Sequence, residues 1–525
     1  MKRILGAIFC VLVFACCAWA GVQDGGALPE NPVFNSVTIG TTYRTVSVNG
    51  ITRAIETLTS AGIVTRIDLY NDGAVLDNAG ASTIGTIAWA LTFAQSYSTG
   101  TVATTSGSAT VTLTGGIWTQ ANAQPGFYIN IANALYVIDS YTDSTHLVIN
   151  RKAATTVSSQ AYNVGSALTV HVHGGTWPIG STSEAYPSST VSIPYTYTTL
   201  EGDGDATNIV LNGSATAGAA AIEILSGVTG INAQYPVCQN FLMTYNDPNA
   251  NQIGVHYSAG SMHATSRNLH LQNFPAPSSG MYMGIDYSSS QYSQTIGCHF
   301  DNVVQPITFS GTVGNSDHLV NGCHFDNIPS LAGGGAIYGE YPYNMQITGN
   351  YFSTGGSSFS VYILGSYSNL GQINIVGNYF NGGSGVKLGP GTSGSYVYRA
   401  NISGNIFNAN SLILSSTNAD ISVIGNQFNN GTTTGGGTSI YANGTKYTIS
   451  GNSFYDGQTG GVDINASGSY GVIMGNSHFN VATGVLINSG STNIADINDV
   501  FHTVTTPISN AGTGTVLVPT SPTTF

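Results

Sequence analysis

One short phrase returns six times near the C-terminus: ITGNYF (347–352), IVGNYF (375–380), ISGNIF (402–407), VIGNQF (423–428), ISGNSF (449–454) and IMGNSHF (473–479). Ile347 and Phe352 lie five residues apart, so a flat strand would point them to opposite faces. Both reach one core only if the chain turns a corner between them. Gly349-Asn350 suits that corner, because Gly accepts positive φ and Asn tolerates the left-handed region. Each phrase therefore reads as strand, corner, strand. Successive corner asparagines are 21 to 28 residues apart, the length of one coil of a parallel β-helix. Asn350, Asn378, Asn405, Asn426, Asn452 and Asn476 are predicted to stack as a ladder, each side-chain amide bonding to the next coil.

The chain opens with Lys2 and Arg3, an apolar run over 4–19, and Ala18-Trp19-Ala20. This predicts a secretory signal peptide over 1–20, cleaved before Gly21. Lipidation at Cys16 or Cys17 is the rival, disfavoured by Phe14 in the small-residue box before the cysteine. Three of the six cysteines leave with that segment, and Cys238, Cys298 and Cys323 make no disulfide framework. Cys298 and Cys323 take the ladder position in two GCHFDN phrases (297–302 and 322–327), where buried free thiols are favoured over a bridge.

Only 7% of residues are charged, yet 42% are hydrophobic, with 29 Tyr and 19 Phe, enough to fill a long ordered core. The formal charge of −13, which deepens to −15 when the two cations Lys2 and Arg3 leave, argues against nucleic acid and a bare anionic membrane as partners. No other segment is apolar enough to insert in a bilayer. Residues 21–98 read as a linker, short strands and capping helices: a helix over 51–62 ended by Gly62, a strand over 65–70, and a helix over 81–96 covering the first coil. Residues 99–165 are β-patterned and read as a small inserted module, 166–518 as the β-helix, and 519–525 as a tail.

Some phrases carry resemblances. NPVFNSVTIG (31–40) resembles neck segments of phage tail fibres, and 99–165 is similar to a small β domain of phage tail proteins. Thr176-Trp177 and Leu200-Glu201-Gly202-Asp203-Gly204 resemble the opening coil of the pectate-lyase-like superfamily, and with the repeats this likeness covers about 165–510. It implies an all-β, right-handed parallel β-helix, a single-stranded solenoid with an N-terminal helical cap and a small inserted β domain. Polysaccharide lyases, glycoside hydrolases, epimerases and tailspikes share that fold, so the resemblance implies a polysaccharide partner without an activity. The Asp-Asp, Gly-His-Gly and Arg-Ile-Lys pattern of polygalacturonases and the Asp-Pro-His of mannuronan epimerases are absent.

That superfamily places its sites on the strand that begins each coil. In segments such as AIEIL (221–225), GVHYS (254–258), GIDYS (284–288), SVYIL (360–364) and GVKLG (385–389), the second and fourth residues face in and the third faces out. The outward column reads Glu223, His256, Asp286, Thr308, Tyr338, Tyr362, Lys387, Ile413, Tyr441, Asp463, Leu486. Six steps of about 4.8 Å separate Glu223 from Lys387, a length of several sugar rings. Outward residues of any strand are polar because they are wet, but Tyr338 and Tyr362 on neighbouring coils favour a ligand, since exposed stacked aromatics cost solubility.

Asp286 and Glu340 are the expected catalytic pair, with Cα atoms roughly 12 Å apart and carboxyls about 7–9 Å apart, an inverting separation. Glu340, between Tyr338 and Tyr341, is expected to be the acid and Asp286 the base. Glu223, His256, Tyr338, Tyr362 and Lys387 are expected to bind substrate. Arg267, Lys387, Arg399 and Lys446 are the only cations over 166–518, which ranks lyase chemistry below hydrolysis. His299 and His324 read as solvated, and Asp317 beside His318 as a turn cap. No resident metal or cofactor is expected; an acidic substrate would bring a bridging cation such as calcium. The alternative is a non-catalytic glycan-binding surface protein or a tailspike-type fibre, the latter bringing a homotrimer and a virion location in place of secretion.

Overall fold

In the computed structural model the described residues run from 41 to 518, apart from short stretches between strands. The longest of these are 180–190, 212–218, 225–234, 246–251, 275–282, 365–371, 390–398 and 430–436. The signal segment, the first linker and the C-terminal tail lie outside the described residues.

The chain winds as a parallel β-solenoid. One face is a 13-stranded parallel sheet from Val191–Ile193 to Thr506–Asn510, and the other strands of each coil belong to a 28-stranded sheet. The repeated phrase forms the bend within that larger sheet: Tyr343–Thr348 leads into Gly349, at φ +63°, and Tyr351–Thr354 follows. Beyond the bend Phe300, Phe325, Phe352, Phe380, Phe407, Phe428 and Phe454 stack ring on ring at 4.6 to 5.1 Å inside the core. Each buried ring contributes about 1.5–3 kcal/mol of hydrophobic free energy.

The asparagine ladder forms as expected. Asn350 Nδ2 donates to Asn378 Oδ1 at 2.9 Å, and the pattern repeats at 2.9–3.0 Å through Asn405, Asn426 and Asn452 to Asn476. Each Oδ1 also accepts the backbone N–H of the preceding asparagine, so one side chain satisfies donors of the coil before it. Cys323 N–H donates to Asn350 Oδ1, which starts the ladder one coil earlier, and Cys298 and Cys323 are buried free thiols.

At its C-terminal end both stacks change chemistry. Asp499 takes the ladder position after Asn476, and His478 takes the phenylalanine position between Phe454 and Phe501. Asp463 completes a buried network, with His478 Nδ1 2.7 Å from Asp463 Oδ2 and Nε2 3.2 Å from Asp499 Oδ2. Burial alone would lower the His478 pKa; its bonds and charges from the two aspartates outweigh that and raise it to about 9.

The N-terminus departs from expectation. Residues 51–62 were expected to be helical, yet β2 (Ile51–Thr59) is a strand, antiparallel to β1 (Thr41–Val48) and to β3 (Val64–Leu69). ITRAIETL satisfies either period, and its β-branched Ile51, Thr52, Ile55 and Thr57 favour the pleated surface once two partner strands are at hand. Inward Glu56 is buried and its carboxylate accepts from Arg44 Nε at 2.6 Å. The helix expected over 81–96 is confined to Ile87–Leu91, where Thr86 caps the N-terminus and Ile87, Ala90 and Leu91 bury against the end of the solenoid core. β3 runs parallel to Leu168–Val172 and so joins this cap to the first coil. Between them, strands from Ser96–Tyr97 to Tyr162–Gly165 form a separate eight-stranded sheet with its own core around Trp118 and Tyr162.

Candidate active site

The 13-stranded sheet sets the outward column in one line. Backbone register pairs Glu223 with His256, His256 with Asp286, Asp286 with Thr308, Thr308 with Tyr338, Tyr338 with Tyr362 and Tyr362 with Lys387. Lys387 continues to Ile413 and Tyr441. The next partner is Asn465, not Asp463, and the column then reaches Leu486. Asp463 sits two residues earlier, facing the core where His478 holds it.

Three adjacent coils place an ionisable chain. His256 Nδ1 lies 2.7 Å from Glu223 Oε2, and His256 Nε2 lies 3.4 Å from Asp286 Oδ2. Burial pulls the His256 pKa down, but the hydrogen bond and charge of Glu223 and the charge of Asp286 outweigh it, and the net shift is upward. Asp286 is only 4% exposed. Its Oδ2 accepts from Ser310 Oγ at 3.1 Å, and its Oδ1 is buried without a hydrogen-bond partner among the described residues. Desolvation raises the Asp286 pKa; His256 and Ser310 act against it, and the charge of Glu340 adds to it. Burial thus inclines Asp286 to keep a proton. Glu340 follows the strand Gly335–Gly339, is half-buried, and donates its backbone N–H to Phe309 O at 3.1 Å. Tyr341, the second tyrosine neighbour expected to desolvate Glu340, lies outside the described residues.

The aromatic part of the column also differs from expectation. Tyr362 is buried, with Lys387 Nζ 4.6 Å from its ring centroid and 5.2 Å from that of Phe359. A ring beneath an ammonium is not open to stack on a sugar. Tyr338 meets Tyr362 edge-on at 5.7 Å and is half-buried, so it is the more open of these two rings on the column.

No family model matches the chain, and no curated protein matches it. Among solved structures, the AlgE6 A-module of the mannuronan C-5 epimerase of Azotobacter vinelandii is similar at 12% identity, covering 67% of this chain and 91% of that one, with a TM-score of 0.38. The Dettilon tailspike protein is similar at 14% identity, covering 67% of this chain and 62% of that one, with a TM-score of 0.43. The DFA-IIIase of Arthrobacter chlorophenolicus A6 is similar at 13% identity, covering 69% of this chain and 90% of that one, with a TM-score of 0.45.

Other histidines singled out in the sequence have plain structural roles. His299 and His324 pair in register, and His299 Nε2 lies 2.9 Å from Asp326 Oδ2. Asp317 takes a left-handed corner at φ +57° and accepts from Asn344 Nδ2 at 3.0 Å, while His318 is buried and held neutral by desolvation, down to about 3. His171, His173, Asp68, Glu201 and Asp203 form a polar cluster not among the sequence-derived candidates. The alternation in TVHVH, which sends both histidines to one face, was the available signal.

Proposed function

We propose that this protein is an exported carbohydrate-acting β-helix that hydrolyses glycosidic bonds in the groove along its 13-stranded sheet. The observation that carries this reading is Asp286, a desolvated carboxyl on an outward column with a second carboxyl, Glu340, close enough for its charge to be felt. Glycoside hydrolysis needs one carboxyl that gives a proton to the leaving oxygen and another, ionised, that activates water or attacks the sugar. Asp286 takes the acid role and Glu340 the base role, the reverse of the assignment made from sequence. As the glycosidic C–O bond breaks, the Asp286 proton passes to the leaving oxygen. Glu340 takes a proton from the water whose oxygen forms the new bond to the anomeric carbon.

His256 and Glu223 line the groove on the coils before Asp286, as hydrogen-bonding partners for sugar hydroxyls, and Tyr338 supplies a ring beside Glu340. Lys387, at the far end, suits an acidic substituent. Export rests on Lys2, Arg3 and the apolar run over 4–19. The test is a panel of polysaccharides incubated with the full chain and assayed for bound glycan and for new reducing or unsaturated ends. New reducing ends without unsaturation support hydrolysis. Unsaturated ends would replace it with lyase chemistry, and binding without cleavage would make the protein an adhesin or fibre.

A further inference from the structure

At the N-terminal end of the larger sheet, β3, Leu168–Val172 and Thr198–Leu211 lie side by side, with Asp68 paired to His171 and His171 to Glu201. Alternation sends Arg66, Asp68, His171 and His173 to the same face, and Asp203 follows on the third strand. Asp68, His171 and His173 each offer one ligand atom within 4.8 Å of the other two. We propose that this cluster binds a divalent transition metal of the zinc class, held by Asp68, His171 and His173.

His171 is held from both sides by carboxylates. Its Nδ1 lies 3.1 Å from Glu201 Oε1 and its Nε2 lies 3.0 Å from Asp203 Oδ1. Both ring nitrogens of His171 are thus within hydrogen-bond reach of a carboxylate oxygen. Glu201 is the supporting group such sites use: it fixes the His171 tautomer and is itself held by Arg66 Nη1 and Gln239 Nε2, each at 2.9 Å. Asp203 spans both rings, its Oδ2 lying 3.3 Å from His173 Nδ1 and accepting the Gly174 N–H at 2.9 Å. Asp68 Oδ1 stands 3.8 Å from His173 Nε2.

Charge points the same way. Asp68, Glu201 and Asp203 face one guanidinium, Arg66, which pairs with Asp68 and Glu201 at 2.9 Å. Three carboxylates against one guanidinium leave an excess of two negative charges, the complement of a divalent ion. Two imidazoles with carboxylates suit zinc, nickel, cobalt or copper better than calcium or magnesium, which prefer all-oxygen sets. Ligand atoms around tetrahedral zinc sit about 3.4 Å apart, given Zn–N lengths of about 2.0–2.1 Å, so the three ligand atoms, within 4.8 Å of one another, would draw together on binding. The site lies on a different sheet from the groove, and an ion there would tie the N-terminal cap to the first two coils.

The test is titration of the tag-free, metal-stripped full chain with zinc chloride by calorimetry, and with cobalt(II) by visible spectroscopy. One equivalent is expected to bind at micromolar or tighter affinity, with a cobalt spectrum free of thiolate charge transfer. The same titration with magnesium or calcium is expected to give no comparable binding. His171→Ala/His173→Ala should weaken zinc by at least about 100-fold, and Glu201→Gln, which keeps every ligand, by about 10–100-fold. Asp286→Asn should bind zinc as the wild type does. Should the double variant fail to fold, His173→Gln is read by the same titration. No saturable binding to wild type, or binding undiminished in the histidine variants, overturns the proposal and leaves the cluster an ion-pair network.

Discussion

Asp286 owes its proposed role to depth. Its neighbours on the column are polar, yet its carboxyl is desolvated, and a carboxyl raised in pKa stays protonated over a wider range. Acid catalysis by Asp286 is therefore complete below its pKa and lost as pH rises through it, which sets the alkaline limb of the rate profile. The charge of His256 opposes the shift, so His256→Gln should move that limb to higher pH; an unmoved limb would dissociate Asp286 from it. Tyr338→Ala should weaken glycan binding by about 10-fold or more, whereas Tyr362→Ala should act through stability, because its ring is covered by Lys387. The sequence carried the column because an apolar, outward, apolar pattern repeats in coil after coil. It misplaced Asp463, since Gly461-Val462-Asp463-Ile464 mimics that pattern while the register is set by Tyr441 opposite Asn465. Nor could it show that Lys387 would lie over Tyr362, which depends on rotamers and not on spacing.

At the scale of elements, the corner ladder and the core stack hold the coils in register. Asn405 Oδ1 accepts from the backbone and side chain of Asn378, and its Nδ2 donates to Ile375 O at 2.8 Å and Asn426 Oδ1 at 2.9 Å. Removing that amide strands several buried groups, each costing about 1–3 kcal/mol. Asn405→Ala should lower the melting temperature clearly more than Ser403→Ala, and equal melting of the two would count against the ladder. The buried aspartates around His478 make the last coils pH-dependent. His478 rises from about 6.5 unfolded to about 9 folded, so its stabilisation is full below about pH 6.5 and is lost as pH rises through about 9. Asp496, raised to about 7 chiefly by burial, adds a loss of the same sign between about pH 4 and 7. Hydrogen exchange in Ser477–Phe479 and Val500–His502 should therefore accelerate at about pH 9.5, after correction for intrinsic rates, while Tyr351–Thr354 stays protected. His478→Phe completes the aromatic stack yet should destabilise by about 3–5 kcal/mol, because it leaves Asp463 and Asp499 without their cation. Local pattern announced the ladder but not this network, whose members stand 15 and 21 residues apart and replace Gly, Phe and Asn at otherwise regular positions.

For the whole molecule, long-range placement decides what a linear reading finds. The solenoid was legible because each coil repeats the same grammar, whereas Asp68 and His171 are separated in sequence by the inserted sheet and meet only when β3 pairs with Leu168–Val172. The cap was misread for the same reason: β2 is a strand because β1 and β3 flank it. A chain lacking residues 1–20 should still fold, and the exported protein should begin at Gly21; mass spectrometry finding a lipidated Cys16 or Cys17 would overturn that expectation. The central claim is that the groove cleaves a glycan with Asp286 as acid and Glu340 as base. It is tested most directly by turnover of Asp286→Asn and Glu340→Gln on whichever polysaccharide the wild type degrades, with binding measured in parallel. Each variant should turn over at least about 10²-fold more slowly while binding the glycan as before. Wild-type turnover in both variants would contradict the account.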